Sequence, residues 1–253
     1  MKNSYAENYN SPLLVGIWGD FIDWRRRRLG ENGFLEKTLA GHGCKRVLDA
    51  SLGDGCDSIH LIKQGFEVTS NEIDSLFIER ALLNAKKANV NLSVTCFDWR
   101  ELDEKFERDS FDAVLLLGNS LTYLFRRNDR LRALKAFKNV LRKGGVLLID
   151  ERNYEYMLKN RAQILAGKFK YSGKFVYCGS KVHGRPVEIR DNKVVMKYEH
   201  ENGKTAFLTL YPFKKGELKG LLKEASFGKI MQYSDYHPGY SSNADFHQYV
   251  TVK

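Results

Sequence analysis

The chain has 253 residues, of which 43% are apolar, and a formal charge of +10 that results from 41 basic and 31 acidic residues. This length and apolar content suit one globular domain with room for an insertion, and they exclude a largely disordered chain. The basic residues form short clusters among many acids, which indicates a solvated basic surface. The charge alone therefore does not predict a nucleic-acid partner.

The cysteines and the apolar stretches indicate in which cellular compartment the protein works. The four cysteines stand singly, without a CxxC pair or histidines at zinc spacing: Cys44, Cys56, Cys96 and Cys178. We interpret them as reduced thiols of a cytoplasmic protein that binds no metal. The polar start MKNSYAENYNSP shows no apolar core of a secretion signal, and the longest apolar runs have only the length of a strand. We therefore expect no membrane partner.

Between about residues 45 and 150, apolar strand-length runs alternate with amphipathic segments. The predicted strands are RVLDA, FEVTSNE, LSVTCFD, FDAVLLLG and GVLLIDE, and the predicted helices are 56–65, 75–88 and 128–143. This alternation predicts an α/β fold with a doubly wound, mostly parallel sheet. Ligands of such sheets bind beyond the carboxyl ends of the strands.

After Glu151 the pattern changes to short alternating runs separated by turn residues such as Asp191–Asn192 and Asn202–Gly203. These runs predict a small antiparallel sheet inserted at about residues 160–213. A helix at 216–228 and two strands then complete the core. We therefore expect a single domain over 1–253, with four parts: 1–40, 41–155, 160–213 and 214–253.

The first predicted strand is followed by the turn Gly53-x-Gly55, which is suited to a nucleotide-like ligand. A Walker loop requires a lysine that is missing here, so ATP is disfavoured. A dinucleotide site would have a third glycine where this chain has Ser58, which weakens the NAD interpretation but leaves it open.

The turn resembles motif I of the class I S-adenosylmethionine-dependent methyltransferases, which have a Rossmann-like fold. The motif reads acid-x-Gly-x-Gly-x-Gly, and its places are taken by Asp49, Ser51 instead of the first glycine, Gly53 and Gly55. The glycines would let the turn approach the ligand closely. The resemblance implies S-adenosylmethionine as methyl donor, S-adenosylhomocysteine as product, and no metal.

The resemblance also places donor contacts at the ends of the next strands. Glu72 would accept hydrogen bonds from both ribose hydroxyls, and Asp98 and Trp99 would bind the adenine amino group and flank its ring. The fourth strand adds Leu117. It continues with Asn119 and has no proline, whereas enzymes that methylate base amines commonly have Asn/Asp-Pro-Pro-Tyr there. This difference argues against adenine methylation.

LGNSLTYL at 117–124 and IDERNYEYML at 149–158 resemble the glycine and sarcosine N-methyltransferases, and further matches follow in order along the chain. The resemblance implies methylation of glycine, which some members continue through sarcosine and dimethylglycine to the osmolyte betaine. Arg152 matches the arginine that binds the substrate carboxylate, and Asn119 the asparagine that orients the acceptor. A guanidinium presents a planar fork that fits a carboxylate.

In this family an N-terminal segment closes over the donor as a lid. The resemblance places Tyr9, Trp18 and Phe21 against the adenosyl end, and Arg27 near the methionine carboxylate. Arg28 is the alternative to Arg27, because the alignment slips by one residue there. Trp18, Phe21, Ile22 and Trp24 stand at helical spacing, so they could equally belong to a helix that packs its aromatic residues on the core.

The insertion carries three tyrosines that match tyrosines around the methyl-transfer site: Tyr171, Tyr198 and Tyr211. The alternative is that they are packing residues of a small sheet. We expect direct in-line transfer to a neutral amine, in a monomer or small homo-oligomer. Other hypotheses are an enzyme acting on another small amine or on RNA, and a donor sensor without turnover.

Overall fold

The computed structural model describes residues 11–168 and 179–253. Its strands are β1 Arg46–Asp49, β2 Glu67–Asn71, β3 Ser93–Thr95, β4 Phe111–Leu116, β5 Leu141–Arg152, β6 Val182–Arg190, β7 Lys193–His200, β8 Thr205–Leu210, β9 Ile230–Ser234, β10 His237–Pro238 and β11 Phe246–Val252. Eight of them form one sheet in the order β10-β9-β11-β5-β4-β1-β2-β3. The strands β1 to β5 are parallel, and β11 runs antiparallel to both β5 and β9. The predicted mostly parallel α/β sheet is confirmed.

The helices connect the strands and cover both faces of the sheet. They are α1 Ser11–Phe21, α2 Trp24–Glu31, α3 Phe34–Gly41, α4 Cys56–Lys63, α5 Ser75–Ala88, α6 Leu102–Lys105, α7 Arg127–Val140, α8 Tyr154–Lys159, α9 Arg161–Gln163 and α10 Glu217–Glu224. Phe137 and Leu221 pack on one face of the sheet, and Leu39 and Leu61 on the other. All six residues of β4 are buried because this strand lies in the middle of the sheet. None of the described helices is long and apolar enough to cross a membrane.

The inserted sheet is also confirmed. It consists of β6, β7 and β8 in antiparallel pairs, with β7 in the centre. Alternate residues of β7 and β8 are buried, so the sheet has one inner and one outer face. The inner face bounds the cavity described below.

Two predicted segments differ from the structure. The helix predicted over 128–143 ends at Val140, because Leu141 already pairs with Phe111 of β4. The aromatic run from Trp18 to Trp24 is not one helix. A break follows Phe21, and Asp23 caps the next helix by accepting a hydrogen bond of 3.0 Å from the backbone N–H of Arg26.

Candidate active site

A cavity of about 200 Å³ lies at the carboxyl ends of β1, β2, β4 and β5. Its walls come from the turn after β1, from α1 and α2, and from the inner face of the small sheet. Eleven residues predicted for the site line it: Trp18, Phe21, Arg27, Ser51, Gly53, Glu72, Trp99, Leu117, Asn119, Arg152 and Tyr198. Within the described ranges, no cluster of three or more His, Cys, Asp or Glu residues could hold a metal ion.

The turn after β1 is fixed to the neighbouring strands by side chains. Gly53 has a φ of +54°, which favours glycine, and its N–H donates to Glu72 Oε2 at 3.0 Å. The hydroxyl of Ser51 donates to the carbonyl of Leu117 at 3.1 Å and accepts from the Leu117 N–H at 3.0 Å. Ser51 thereby joins the ends of β1 and β4, which gives a serine at the first glycine position a structural role.

Asp49 and Gly55 help to hold the turn in place, but they do not line the cavity. The buried carboxylate of Asp49 accepts hydrogen bonds from the backbone of Ser51 and, at 2.6 Å, from the hydroxyl of Ser58. Burial raises the pKa of Asp49 to about 6. A Cβ on Gly55, which has a φ of +83°, would lie 3.0 Å from Ala81 Cβ on α5. Gly55 thus allows the start of α4 to approach α5 closely, and its approach to a ligand stays a prediction.

Glu72 lies at the end of β2 and faces the cavity, as predicted. Its Oε1 accepts from the backbone N–H groups of Ile73 and Asp74, at 2.9 and 3.1 Å. Burial raises the pKa of this carboxyl to about 7. With the bond from Gly53, three backbone donors hold the carboxyl in one orientation, and lone pairs remain for hydroxyl groups of a ligand.

The two residues expected around adenine occupy different places. Trp99 lines the cavity, and its Nε1 donates to the carbonyl of Ala50 at 2.6 Å. Asp98 does not line it, because its carboxylate binds the side chain and the backbone N–H of Arg100, each at 2.9 Å. Burial opposes ionisation, but the bonds from Arg100 lower the pKa of Asp98. The role of Asp98 toward adenine stays a prediction.

At the other end of the cavity, Asn119 braces the end of β5. Its Oδ1 accepts from the backbone N–H of Arg152 at 3.0 Å. Its Nδ2 donates to the hydroxyls of Tyr154 at 2.7 Å and Thr122 at 3.3 Å. The backbone N–H of Asn119 donates to the buried carboxylate of Asp150. Because both amide hydrogens are used within the protein, the effect of Asn119 on an acceptor would act through Arg152.

The guanidinium of Arg152 faces the cavity and stacks on Phe246, with its Cζ 4.7 Å from the ring centroid. Two acids close to Arg152 in the sequence also bond other residues. Glu151 accepts from the hydroxyl of Tyr249 at 2.7 Å, and Glu155 accepts from Tyr240 and Lys215. Arg152 is thus placed as a cation within a partly apolar chamber.

Known proteins are similar to this chain in sequence and in fold. A family model described as a methyltransferase domain matches residues 47–145. The chain is 34% identical over 252 residues to the glycine/sarcosine N-methyltransferase of Aphanothece halophytica, an alignment that covers 98% of this chain and 92% of that one. The chain belongs to the glycine/sarcosine N-methyltransferase family.

Two further comparisons agree with this assignment. The glycine/sarcosine N-methyltransferase of Halorhodospira halochloris is 34% identical over 250 residues, covering 98% of this chain and 90% of that one. The crystal structure of an S-adenosylmethionine-dependent methyltransferase from Clostridium acetobutylicum matches with a TM-score of 0.70 at 15% identity, covering 99% of both chains. The second comparison supports the class I fold.

The N-terminal aromatic residues that the family resemblance singled out lie against the cavity. Trp18 contacts Phe21 and Phe77, with ring centroids 5.4 and 5.3 Å apart. The ring centroids of Phe21 and Tyr198 lie 4.6 Å apart in an edge-to-face arrangement. The end of α1 thus connects the core to the small sheet. Tyr9 and Tyr171 lie outside the described residues.

Arg27, and not Arg28, lines the cavity, which favours Arg27 as the donor contact. Both arginines belong to a ring of four charges. Arg27 Nε bonds Glu31 at 2.7 Å and its Nη2 lies 3.4 Å from Asp57, while Arg28 bonds the other oxygens of the same acids. Against the cost of burial, Asp57 and Glu31 raise the pKa of Arg27 well above its usual value. The ring ties α2 to the start of α4.

Sequence reasoning missed three residues of this region. Trp24 Nε1 donates to Asp54 at 3.1 Å, and its ring lies 4.8 Å from Arg27 Cζ. Asp54 and Asp57 both line the cavity beside the motif turn. The available signal was the pair of acids in GDGCD, which complements the four consecutive arginines of α2.

Tyr236 was missed as well, and no sequence pattern would have revealed it. It occupies the two-residue turn between β9 and β10 with Asp235, and their φ angles are +67° and +49°. Such angles cost non-glycine residues about 1–3 kcal/mol each. Hydrogen bonds from Tyr236 N–H to Gln248 and from Phe246 N–H to Asp235 hold the turn. Tyr236 thereby reaches the cavity, and its hydroxyl lies 3.4 Å from Glu31.

Of the insertion tyrosines that the structure describes, Tyr198 lines the cavity and Tyr211 does not. The hydroxyl of Tyr211 donates to Glu217 at 3.0 Å, and its ring lies 3.8 Å from the guanidinium carbon of the buried Arg130. Tyr211 therefore serves packing in this structure, and its place at the methyl-transfer site stays a prediction.

Proposed function

We propose that the protein transfers the methyl group of S-adenosylmethionine to the amine of glycine and of sarcosine. The observation that carries this proposal is the position of Arg152. Its guanidinium faces the same cavity as the motif turn and Glu72, and Asn119 braces it from β4. The family relatives, which are named for glycine and sarcosine, support the same activity.

The residues around the motif turn fit the donor. Glu72 offers a carboxylate to ribose hydroxyls, Gly53 leaves the turn open, and the rings of Trp18 and Trp99 provide apolar walls. Arg27 supplies a cation for the methionine carboxylate. When bound, S-adenosylmethionine supplies an electrophilic methyl group on a sulfonium. The helices α1 and α2 would act as the lid over it.

The residues at the ends of β4 and β5 act on the acceptor. Arg152 binds the carboxylate of glycine or sarcosine with its planar fork, and Asn119 keeps the backbone of Arg152 in place. The acceptor nitrogen loses its proton to solvent before it attacks. Holding both reactants in line can contribute about 7–11 kcal/mol in well-oriented systems.

The cellular setting is also part of the proposal. The three described cysteines, Cys44, Cys56 and Cys96, are free thiols, which suits a reducing cytoplasm. We infer a monomer or small homo-oligomer that needs no metal. Nucleic acid is not a proposed partner.

The test is mass spectrometry of the products formed from methyl-labelled donor with glycine, sarcosine or dimethylglycine offered separately. We expect labelled sarcosine from glycine and labelled dimethylglycine from sarcosine. The third reaction shows whether methylation continues to betaine. Donor binding without label transfer to glycine or sarcosine would contradict the proposal and favour a donor sensor.

A further inference from the structure

The inner face of the small sheet forms one wall of the cavity. Leu208 and Leu210 on β8 and Tyr198 on β7 line it. The two leucines are two residues apart on one strand, so both project to the same face, about 6.6–6.8 Å apart along the strand. They are 4% and 3% exposed, which means that the surrounding sheet fixes their side chains.

A chain of hydrogen bonds places Leu210 at the acceptor end of this wall. The N–H of Tyr211, the next residue, donates to the carbonyl of Thr122 at 2.9 Å. The hydroxyl of Thr122 lies 3.3 Å from Asn119 Nδ2, and Asn119 Oδ1 accepts from the Arg152 N–H. Leu208 lies two residues further along β8 from the bond between Tyr211 and Thr122. Of the two wall leucines, Leu210 is therefore the one whose chain neighbour is bonded to the segment that holds Arg152.

Apolar side chains line part of the cavity that Arg152 faces. Phe246 covers one side of the guanidinium, and Leu210 and Tyr198 belong to the cavity wall that comes from the insertion. An acceptor bound through its carboxylate to Arg152 directs its nitrogen away from the guanidinium and into this cavity. Each methyl group added to that nitrogen then needs space among apolar side chains.

We propose that Leu210 sets how many methyl groups the acceptor nitrogen can carry, and so decides between glycine, sarcosine and dimethylglycine as acceptors. This inference rests on the proposed function. The side chain cannot easily withdraw, because Leu210 pairs with the fully buried Val194 of β7. One methylene in an apolar pocket changes discrimination between substrates by about 10- to 200-fold. The bulk at position 210 is thus sufficient to determine the last product.

The experiment compares kcat/KM for the three acceptors in the wild type, Leu210→Ala and Met196→Ala. Met196 is the matched control, because it is equally buried, pairs with Leu208 across the sheet and does not line the cavity. We expect Leu210→Ala to shift the ratio of dimethylglycine or sarcosine to glycine by about tenfold toward the bulkier acceptor. Met196→Ala should lower the melting temperature and leave these ratios at the wild-type values.

Equal ratios in the wild type and Leu210→Ala, in an enzyme that methylates glycine, would overturn this inference and leave the proposed function intact. A wild type that methylates neither glycine nor sarcosine would refute both. If Leu210→Ala does not fold, Leu210→Val removes a single methylene and should shift the ratios in the same direction. Unchanged ratios in that variant would overturn the inference equally.

Discussion

The side-chain oxygen of Asn119 accepts a hydrogen bond of 3.0 Å from the backbone N–H of Arg152. Asn119 has a φ of +64°, a left-handed conformation that asparagine tolerates better than most residues. Its amide nitrogen donates to the buried hydroxyl of Tyr154. One side chain thus fixes the end of β4 against the residue proposed to bind the acceptor carboxylate.

Replacing Asn119 by glycine should weaken acceptor binding selectively. Glycine allows the same backbone conformation, so the loss is confined to the side-chain bonds. A buried group left without its partner costs about 1–3 kcal/mol, so we expect the KM for glycine to rise about tenfold. Steady-state kinetics and calorimetric titration of the donor would measure both effects. An unchanged KM for glycine would show that the hydrogen bond between Arg152 and Asn119 does not contribute to acceptor binding.

Donor affinity should depend on pH through Glu72. Burial raises its pKa from 4.5 to about 7, and the ionised carboxylate is the better acceptor for ribose hydroxyls. Donor binding therefore favours loss of this proton, and affinity should fall up to about tenfold for each pH unit below 7. Calorimetry across this range checks the slope. Glu72→Gln should bind the donor more weakly and lose the dependence, and an equal slope in both proteins would rule out Glu72 as its source.

Protein stability should decrease with rising pH because of Glu151. Burial raises its pKa from 4.5 to about 8, so the folded state keeps a proton that the unfolded chain releases. The resulting stabilisation is fully present below pH 4.5 and is lost as the pH rises through 8. Glu151→Gln keeps an acceptor for Tyr249 and cannot ionise. Relative to that of the wild type, its melting temperature should rise from pH 4.5 to about pH 8. A difference that stays constant over this range would contradict the account.

Gly184 gives Tyr198 the space that it occupies in the cavity wall. The two residues are cross-strand partners, and a Cβ at Gly184 would lie 2.7 Å from Cε1 of the Tyr198 ring. Gly184→Ala should displace the ring, lower kcat/KM and cost about 1–3 kcal/mol of stability. Gly220→Ala is the control, because its added Cβ would meet no atom within 4 Å outside its chain neighbours and the backbone of its own helix, and it should be neutral or stabilising. If both variants resemble the wild type in kinetics and thermal unfolding, the contact is unimportant.

Local signals explain which parts of the fold were predictable. The helix α5 has the predicted bounds, because Asp74 caps its start and Asn89 ends it in a left-handed conformation. The break between α1 and α2 was equally readable from the cap at Asp23, but the surrounding aromatic residues suggested one continuous helix. The two-residue strand β10 arises from the turn at Asp235 and Tyr236, which lacks the usual Asn-Gly signal.

In the candidate site, too, residues with a local sequence signal were predictable and residues placed by tertiary packing were not. Gly53, Glu72 and Arg152 lie at or just after the carboxyl ends of parallel strands. Such ends meet at one edge of a sheet, so the order of these residues in the sequence was sufficient to predict that they line one site. The contacts of Trp24 with Asp54 and of Tyr236 with Glu31 join residues 30 and 205 positions apart. They depend on the tertiary packing of whole segments, to which strand and helix periodicity is insensitive.

Arg152→Ala tests the central claim most directly, through the KM for glycine and the calorimetric affinity for the donor in the same preparation. Charge-assisted hydrogen bonds contribute about 1.5–3 kcal/mol, so the KM for glycine should rise at least about tenfold, with donor affinity almost unchanged. Arg152→Lys should recover part of the loss, since it keeps the charge without the planar fork. A KM for glycine that stays at the wild-type value, or a donor affinity that falls as far as glycine binding, would contradict the account.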